Sequence, residues 1–164
     1  MQDRRYDRAG EFAAIDQVVR VRRYQLPDGT CREVLGWKGS TSVSPDGYKL
    51  REEVESELSG GAPASLLLER LGFAECHAID RYVEVFDVEG AMVRLEWYPD
   101  ADTLVEVEGD GRAIERAVAA TLLDRDSFSA ESLVCFAQRF RDRTGRPARL
   151  ALTDSAECPP HWPR

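Results

Sequence analysis

Polar and apolar residues alternate from residue 48 to residue 58 and predict a β-strand there, because strand side chains point to opposite faces in turn. One face is mostly apolar, and the other carries charges of both signs. Read with the helical period instead, the charges scatter around the axis and no apolar stripe forms. Taken alone, such a strand is typical of a sheet whose polar face meets water. The charged positions are Lys49, Arg51, Glu53, Glu55 and Glu57.

The same alternation recurs along the chain and predicts an antiparallel α+β fold. Segments 18–24 and 31–38 flank a turn at 26–30, where Pro and Gly favour the backbone angles of a hairpin. Further strands are predicted at 81–87, 92–97 and 103–109. In the last two, charged side chains lie on one face and Val, Leu or Trp on the other.

Helices are predicted in three places. A short one begins near Pro63 and stops at Gly72. Asp110 and Ser129 are each expected to cap a later helix, and Gly145 to end the second of these. Residues 1–145 are therefore predicted to form one domain, followed by a partly irregular tail over residues 146–164. The apolar helix positions are Ile114, Ala117, Val118, Leu122, Leu133, Val134, Ala137 and Phe140.

Composition and charge narrow the range of partners. The net charge of −8 over 164 residues argues against general binding to nucleic acid or acidic membranes, which requires a basic surface. No apolar run approaches the ~20 residues of a membrane span, and the charged N-terminus has no apolar core of a signal peptide. The four cysteines lie far apart without a CxxC pair. They predict reduced, mostly buried thiols in a cytoplasmic protein rather than a zinc site.

The repeated Arg-x-Arg and Glu-x-Glu pairs suggest a shared site. If the polar faces converge inside a closed or nearly closed barrel of about seven to eight antiparallel strands, they line a tunnel, and helices cover the apolar outside. Guanidinium groups match phosphate oxygens, and carboxylates at alternate positions hold Mg²⁺ or Mn²⁺. Metal and cations then offset the charge that develops during attack on phosphorus. The open alternative is that these faces are ordinary solvated strand surfaces.

From Tyr6 to about Phe140 the chain resembles a CYTH domain of the triphosphate tunnel metalloenzyme superfamily. That superfamily includes inorganic triphosphatases, thiamine-triphosphatases and class IV adenylate cyclases. Each motif is weak alone, but together they follow the family's order. The matching motifs are Tyr6-Asp7, Arg20-Val-Arg22, Trp37-Lys38-Gly39, Arg51-x-Glu53-x-Glu55, Leu71-Gly-Phe73, Arg81, Leu95-Glu96 and Glu106-Val-Glu108-Gly109.

The resemblance implies roles for individual residues. Glu96 stands where the family usually has Asp, and Arg94 is added to the phosphate-binding set by strand alternation alone. The implied phosphate-binding residues are Arg20, Arg22, Lys38, Arg51 and Arg81. The implied ligands of Mg²⁺ or Mn²⁺ are Glu53, Glu55, Glu96, Glu106 and Glu108.

Three functions are compatible with these residues. The first is metal-dependent hydrolysis of a triphosphate-containing small molecule: inorganic triphosphate, thiamine triphosphate or a nucleotide. The second is a class IV-type adenylate cyclase that makes cyclic AMP from ATP. The third is a module that binds polyphosphate or nucleotide without turnover.

One departure from the family lies at the N-terminus. The family's first strand carries Glu-x-Glu-x-Lys, which does not occur in the first thirty residues, and the chain is expected to start at the family's second strand. Either the protein begins upstream or a strand has been lost. In the second case the tunnel would be open along one edge, which a homodimer could cover; a monomer is the other expectation.

Overall fold

The computed structural model describes residues 1–59 and 63–152 and has an α+β fold with antiparallel sheets. It divides into two units, Met1–Asp80 and Arg81–Arg164. The first unit has a five-stranded antiparallel sheet in the order β6-β3-β2-β1-β7 and a separate β4-β5 hairpin. Its elements are β1 (Gln2–Asp7), α1 (Glu11–Ala14), β2 (Val18–Gln25), β3 (Cys31–Lys38), β4 (Ser42–Val43), β5 (Lys49–Leu50), β6 (Glu53–Leu58), α2 (Ala64–Arg70) and β7 (Ala74–Asp80).

Alternation along β2 separates an apolar face of this sheet from a charged one. Val19 and Val21 point to the apolar face, where they form a buried cluster with Tyr6 of β1 and with Ala64 and Leu68 of α2. Each large aliphatic side chain buried in such a cluster contributes roughly 1.5–3 kcal/mol. The helix therefore covers the apolar face, and Arg20 and Arg22 of β2 lie on the opposite one.

The second unit repeats this division around the three-stranded sheet β10-β9-β8. Ala113 and Ala117 of α3 pack against Ala91 and Val93 of β9. Asp110 caps α3 as predicted, because its carboxylate accepts hydrogen bonds from two backbone amides of the first turn. The elements are β8 (Tyr82–Val88), β9 (Ala91–Trp97), β10 (Leu104–Glu108), α3 (Gly111–Ala120), a 3₁₀ turn (Arg125–Ser127) and α4 (Leu133–Thr144).

Three predicted boundaries are wrong. Helix α3 ends at Ala120, so Leu122, predicted on its apolar side, lies beyond the helix and is exposed. The strand predicted over 48–58 is interrupted, because Arg51 and Glu52 lie between β5 of the small hairpin and β6 of the main sheet. Arg51 donates to the Gly39 carbonyl just beyond β3 and so anchors the point where the chain joins that sheet. The last helix begins after Ser132, not Ser129, and the Ser129 hydroxyl instead donates to Glu131.

Strands β1 and β7 were not predicted, because their alternation is broken. Arg4 shares a strand face with Val21, its neighbour in the register, where an apolar residue is expected. Its guanidinium lies 2.8 Å from the Asp80 carboxylate at the end of β7. This ion pair compensates the charge on that face.

The cysteines differ from expectation as well. Cys31, Cys76 and Cys135 are free thiols, but they are exposed rather than buried; Cys158 lies outside the described residues. In the predicted tail, Arg149 forms an antiparallel bridge with Asp100, and residues 153–164 lie outside the described part of the chain.

Two further observations concern the fold as a whole. The described strands lie in sheets of five, three and two strands, and no closed barrel is detected among them. No helix within residues 1–59 and 63–152 is long and apolar enough to cross a membrane.

Candidate functional site

Two buried arginines and one glutamate form the centre of the charged face of the first unit. Arg20 and Arg22, at alternate positions of β2, are only 5% and 6% exposed. Arg20 Nη2 donates to Glu55 Oε1 at 3.0 Å, and Arg22 Nη2 donates to the same oxygen. One carboxylate oxygen thus accepts hydrogen bonds from two guanidinium groups.

A second ion pair adjoins this centre. Lys38 Nζ donates to Glu53 Oε1, and Arg20 Nη2 lies 3.5 Å from Glu53 Oε2. Burial disfavours ionisation of Glu53, but the hydrogen bond from Lys38 and the positive charges of Lys38, Arg20 and Arg22 outweigh it and lower the Glu53 pKa. Glu53 is therefore a carboxylate at neutral pH.

A glycine makes room for the contact between Arg20 and Glu55. Gly36 lies between them in the register, opposite Arg20 on β2 and opposite Glu55 on β6. A Cβ atom at Gly36 would lie 3.5 Å from both Arg20 Nε and Glu55 Oε1. Any side chain larger than a methyl group would therefore displace the guanidinium or the carboxylate.

Strand β1 adds residues that the sequence analysis did not single out. Asp3 lies opposite Arg22, and Arg5 opposite Arg20, so both belong to the charged face. Asp3 is fully buried, and its carboxylate lies 3.9 Å from Arg20 Nη1. His77 of β7 is the next residue in the row beyond Arg5, and burial and the Arg5 charge lower its pKa. The alternate positions of Asp3 and Arg5 along the chain are the sequence feature that could have identified them.

Arg51 and Lys49 lie apart from this centre. The Arg51 guanidinium donates to the backbone carbonyl groups of Gly39 and Asp16 and lies 3.3 Å from the Asp16 carboxylate. Lys49 belongs to β5, in the small hairpin. Neither contacts the Arg20–Arg22 pair through a described ion pair.

In the second unit, Arg81 and Glu96 meet as part of a buried cluster. Arg81 Nη1 donates to Glu96 Oε2 at 2.9 Å, and the Tyr98 hydroxyl donates to the same oxygen at 2.6 Å. Burial and the negative charge of Glu96 raise the Tyr98 pKa, so the hydroxyl keeps its proton. The other carboxylate oxygen, Glu96 Oε1, is buried and accepts no hydrogen bond from the described residues.

The remaining predicted residues form a bridge between β9 and β10. Arg94 Nη1 donates to Glu106 Oε2 at 2.9 Å, and Arg94 Nη2 donates to Glu108 Oε2 at 2.6 Å. One guanidinium here donates to two carboxylates, the reverse of the arrangement around Glu55. Arg94 thus occupies the place between two acids that a metal ion could take.

The carboxylate oxygens are suitable ligands for Mg²⁺ or Mn²⁺, but they are not arranged as a preformed metal site. Within residues 1–59 and 63–152, no group of three or more His, Cys, Asp or Glu side chains is placed to hold a metal ion. Mg²⁺ is, however, commonly held by one or two carboxylates together with substrate phosphates rather than by a cage of protein ligands. The donors present fit a divalent cation that arrives with a phosphate ligand.

Comparison with known proteins bears on the fold. No protein-family model matches the chain, and no curated protein matches it. Among solved structures, that of PH1819 protein from Pyrococcus horikoshii OT3 is similar, with 22% sequence identity and a TM-score of 0.62. The match covers 81% of this chain and 80% of that chain. At this identity the similarity shows the fold alone, and the resemblance to the CYTH domain stays a prediction.

Proposed function

We propose that this chain binds the phosphate chain of a triphosphate-containing small molecule and hydrolyses it with Mg²⁺ or Mn²⁺. The observation that carries the proposal is the pair of buried arginines, Arg20 and Arg22, held side by side on a central strand. Buried guanidinium groups need an anionic partner, and their planar fork matches the oxygens of phosphate as well as those of a carboxylate.

Contacts within the first unit support the following roles. Arg20, Arg22 and Lys38 hold phosphate oxygens, and Glu53 and Glu55 face the accompanying cation. A bound cation would supply charge compensation as water attacks the terminal phosphorus and the bond from that phosphorus to the bridging oxygen breaks. The attacked group is released as orthophosphate, and the rest of the phosphate chain is the leaving group. The motifs alone support phosphate contacts by Arg51 and Arg81, metal contacts by Glu96, Glu106 and Glu108, and a closed tunnel. Strand alternation alone supports a phosphate contact by Arg94.

Asp3 and Arg5 support the enzymatic form of the proposal. They place an acidic and a basic residue at alternate positions of β1, on the same face as the Arg20–Arg22 pair. The family's first strand is expected to provide that combination with Glu-x-Glu-x-Lys. We infer that Asp3 and Arg5 take over part of its role.

A second candidate function is binding of polyphosphate without turnover. The observation that favours it is the departure from the family at the N-terminus, where Glu-x-Glu-x-Lys does not occur in the first thirty residues. Such a module would still use the arginine pair. It would lack only the charge compensation needed at phosphorus.

Incubation with tripolyphosphate, thiamine triphosphate and ATP, each with Mg²⁺ or Mn²⁺, separates these functions. Release of orthophosphate is the expected result. Saturable binding without release indicates the binding module, and cyclic AMP from ATP indicates a cyclase. If none of these ligands binds, the proposal is wrong.

Variants then test whether the predicted residues are responsible. Arg22→Ala is expected to reduce activity by at least about tenfold, the effect of losing one charge-assisted hydrogen bond to phosphate. Glu106→Gln is expected to reduce activity because it removes a proposed metal ligand. Arg32→Ala is the matched control for Arg22, because Arg32 lies on β3 and forms an exposed ion pair with Glu57. Unchanged activity and affinity in both test variants would contradict the assignment of the site.

A further inference from the structure

The contact between Glu55 and the arginine pair has a consequence for ligand binding. Both Arg20 Nη2 and Arg22 Nη2 donate to Glu55 Oε1, so this carboxylate oxygen already occupies the position of an acceptor for both guanidinium groups. Carboxylate and phosphate oxygens are interchangeable acceptors for such a fork. An incoming phosphate must therefore compete with Glu55.

The three side chains differ in their access to solvent. The arginine side chains are each 7% exposed, whereas the Glu55 side chain is 34% exposed. The buried cations depend on a counter-anion, because a buried charge left alone is strongly destabilising. The carboxylate, in contrast, can be released toward water when another anion replaces it.

The arginines also have donors that Glu55 does not use. Arg20 Nε and Arg22 Nε are buried and make no hydrogen bond within the described part of the chain. A phosphate group offers more acceptor oxygens than the single oxygen that Glu55 contributes. Exchange of Glu55 for phosphate can therefore satisfy more of the buried donors.

Once displaced, Glu55 is an unpaired carboxylate beside Glu53, two residues away on the same face of β6. Lys38 already pairs with Glu53 and offsets only part of this charge. A divalent cation that bridges phosphate oxygens to a carboxylate would compensate the rest. Anion and cation then each favour the binding of the other, which is a reciprocal coupling free energy.

We propose that Glu55 is an internal counter-anion, which occupies the phosphate position of Arg20 and Arg22 in the unliganded protein and passes to a divalent cation when polyphosphate binds. This inference rests on the proposed function, because it concerns the same site. It adds that anion and cation bind cooperatively, and that Glu55 weakens anion binding when no cation is present.

Calorimetric titration with tripolyphosphate tests this, first in EDTA and then in Mg²⁺. In EDTA, Glu55→Gln is expected to bind tripolyphosphate roughly tenfold more tightly than wild type, within the usual range of coupling free energies. In Mg²⁺ the wild type gains affinity and Glu55→Gln does not. Glu57→Gln is the matched control, since it removes the same charge from the same strand face at an exposed ion pair, and it is expected to behave as wild type.

The outcomes distinguish this inference from the proposed function. If wild type binds tripolyphosphate but Glu55→Gln binds it equally or more weakly in EDTA, the internal counter-anion is wrong and the proposed function stands. If neither protein binds tripolyphosphate with or without Mg²⁺, both fail.

A second measurement needs no variant, in case Glu55→Gln does not fold. Wild-type affinity is measured against free Mg²⁺, corrected for the complex that Mg²⁺ and tripolyphosphate form in solution. Affinity that rises with free Mg²⁺ supports the coupling, and affinity independent of it overturns the coupling.

Discussion

Arg20 and Arg22 lie at positions that are only 5% and 6% exposed. Burial, together with the neighbouring charge of Arg20, lowers the Arg22 pKa, yet an arginine remains protonated at neutral pH. Nearby anions offset the electrostatic repulsion between these two buried positive charges. This explains why Glu55 contacts both residues, and why their geometry rather than their charge alone should control phosphate affinity.

Arg22→Lys tests the importance of that geometry. Lysine keeps the positive charge but loses the planar fork, so tripolyphosphate affinity in Mg²⁺ is expected to fall by roughly 10- to 100-fold, equivalent to one strong charge-assisted hydrogen bond. Calorimetry measures the change, with Arg32→Lys as the exposed control. Equal affinity for Arg22→Lys and wild type would show that only charge matters.

Glu53 makes the stability of the first unit depend on pH. Its pKa in the folded protein lies below the ordinary value of 4.5 because the hydrogen bond from Lys38 and the nearby positive charges outweigh the effect of burial. The unfolded chain therefore binds this proton more tightly. Stabilisation by ionised Glu53 is present above about pH 4.5 and is lost as the pH falls through the lowered pKa.

Urea unfolding between pH 7 and pH 3 measures this dependence. Glu53→Gln is expected to lose part of the wild-type decrease in unfolding free energy below about pH 4.5. Glu57→Gln, which alters an exposed ion pair with Arg32, is expected to retain it. Identical pH profiles for wild type and Glu53→Gln would contradict the assigned coupling to Lys38.

At the scale of the elements, helix α3 depends on its N-cap. The Asp110 carboxylate accepts hydrogen bonds from the amides of Arg112 and Ala113 at 2.9 and 3.0 Å. Asp110→Ala is therefore expected to lower the free energy of unfolding by about 1 kcal/mol. Ser132→Ala is the control, because Ser132 precedes α4 without a capping hydrogen bond from its side chain. Equal losses in chemical denaturation would show that the cap does not stabilise α3.

Removal of Arg94, which bridges β9 and β10, is expected to create a metal-binding site there. Arg94→Met leaves the carboxylates of Glu106 and Glu108 without their shared guanidinium, so the variant is expected to be less stable and to recover stability with Mn²⁺. An added stabilisation of about 1 kcal/mol corresponds to a rise in Tm of roughly 2–4 °C for a chain of this size.

Thermal unfolding with and without Mn²⁺ measures the effect. Arg116→Met is the control, because Arg116 lies beside Glu89 in an exposed ion pair and pairs with no second carboxylate among the described residues. If Mn²⁺ shifts the Tm of Arg94→Met no more than that of wild type, Glu106 and Glu108 do not form a cation position.

For the whole molecule, period-two alternation predicted the strands with a consistent apolar face. It predicted the hairpin of β2 and β3 and the strands of the second unit, and the cap at Asp110 was also confirmed. It did not find β1 because Arg4 stands on the apolar face, where Asp80 and Glu75, both distant in the sequence, compensate its charge. Ion pairs between residues far apart in the sequence leave no periodic signal.

The same limit applies to the candidate site. Alternation and motif resemblance singled out Arg20, Arg22 and Glu55, but not their shared oxygen contact. That contact depends on the register of β3 with β6, two strands separated by the segment 39–52 and the β4-β5 hairpin within it. It also depends on Gly36, because a side chain at this position would occupy the space of the contact. The residue pattern of a single strand predicts neither its register with another strand nor the space that a glycine leaves for neighbouring side chains.

The central claim is that the Arg20–Arg22 pair binds polyphosphate, and calorimetric titration of tripolyphosphate in Mg²⁺ into wild type, Arg22→Ala and Arg32→Ala tests it most directly. We predict saturable binding by wild type and Arg32→Ala, and at least about tenfold weaker binding by Arg22→Ala, from the loss of a charge-assisted hydrogen bond. Absence of binding by wild type, or equal binding by Arg22→Ala, would contradict it.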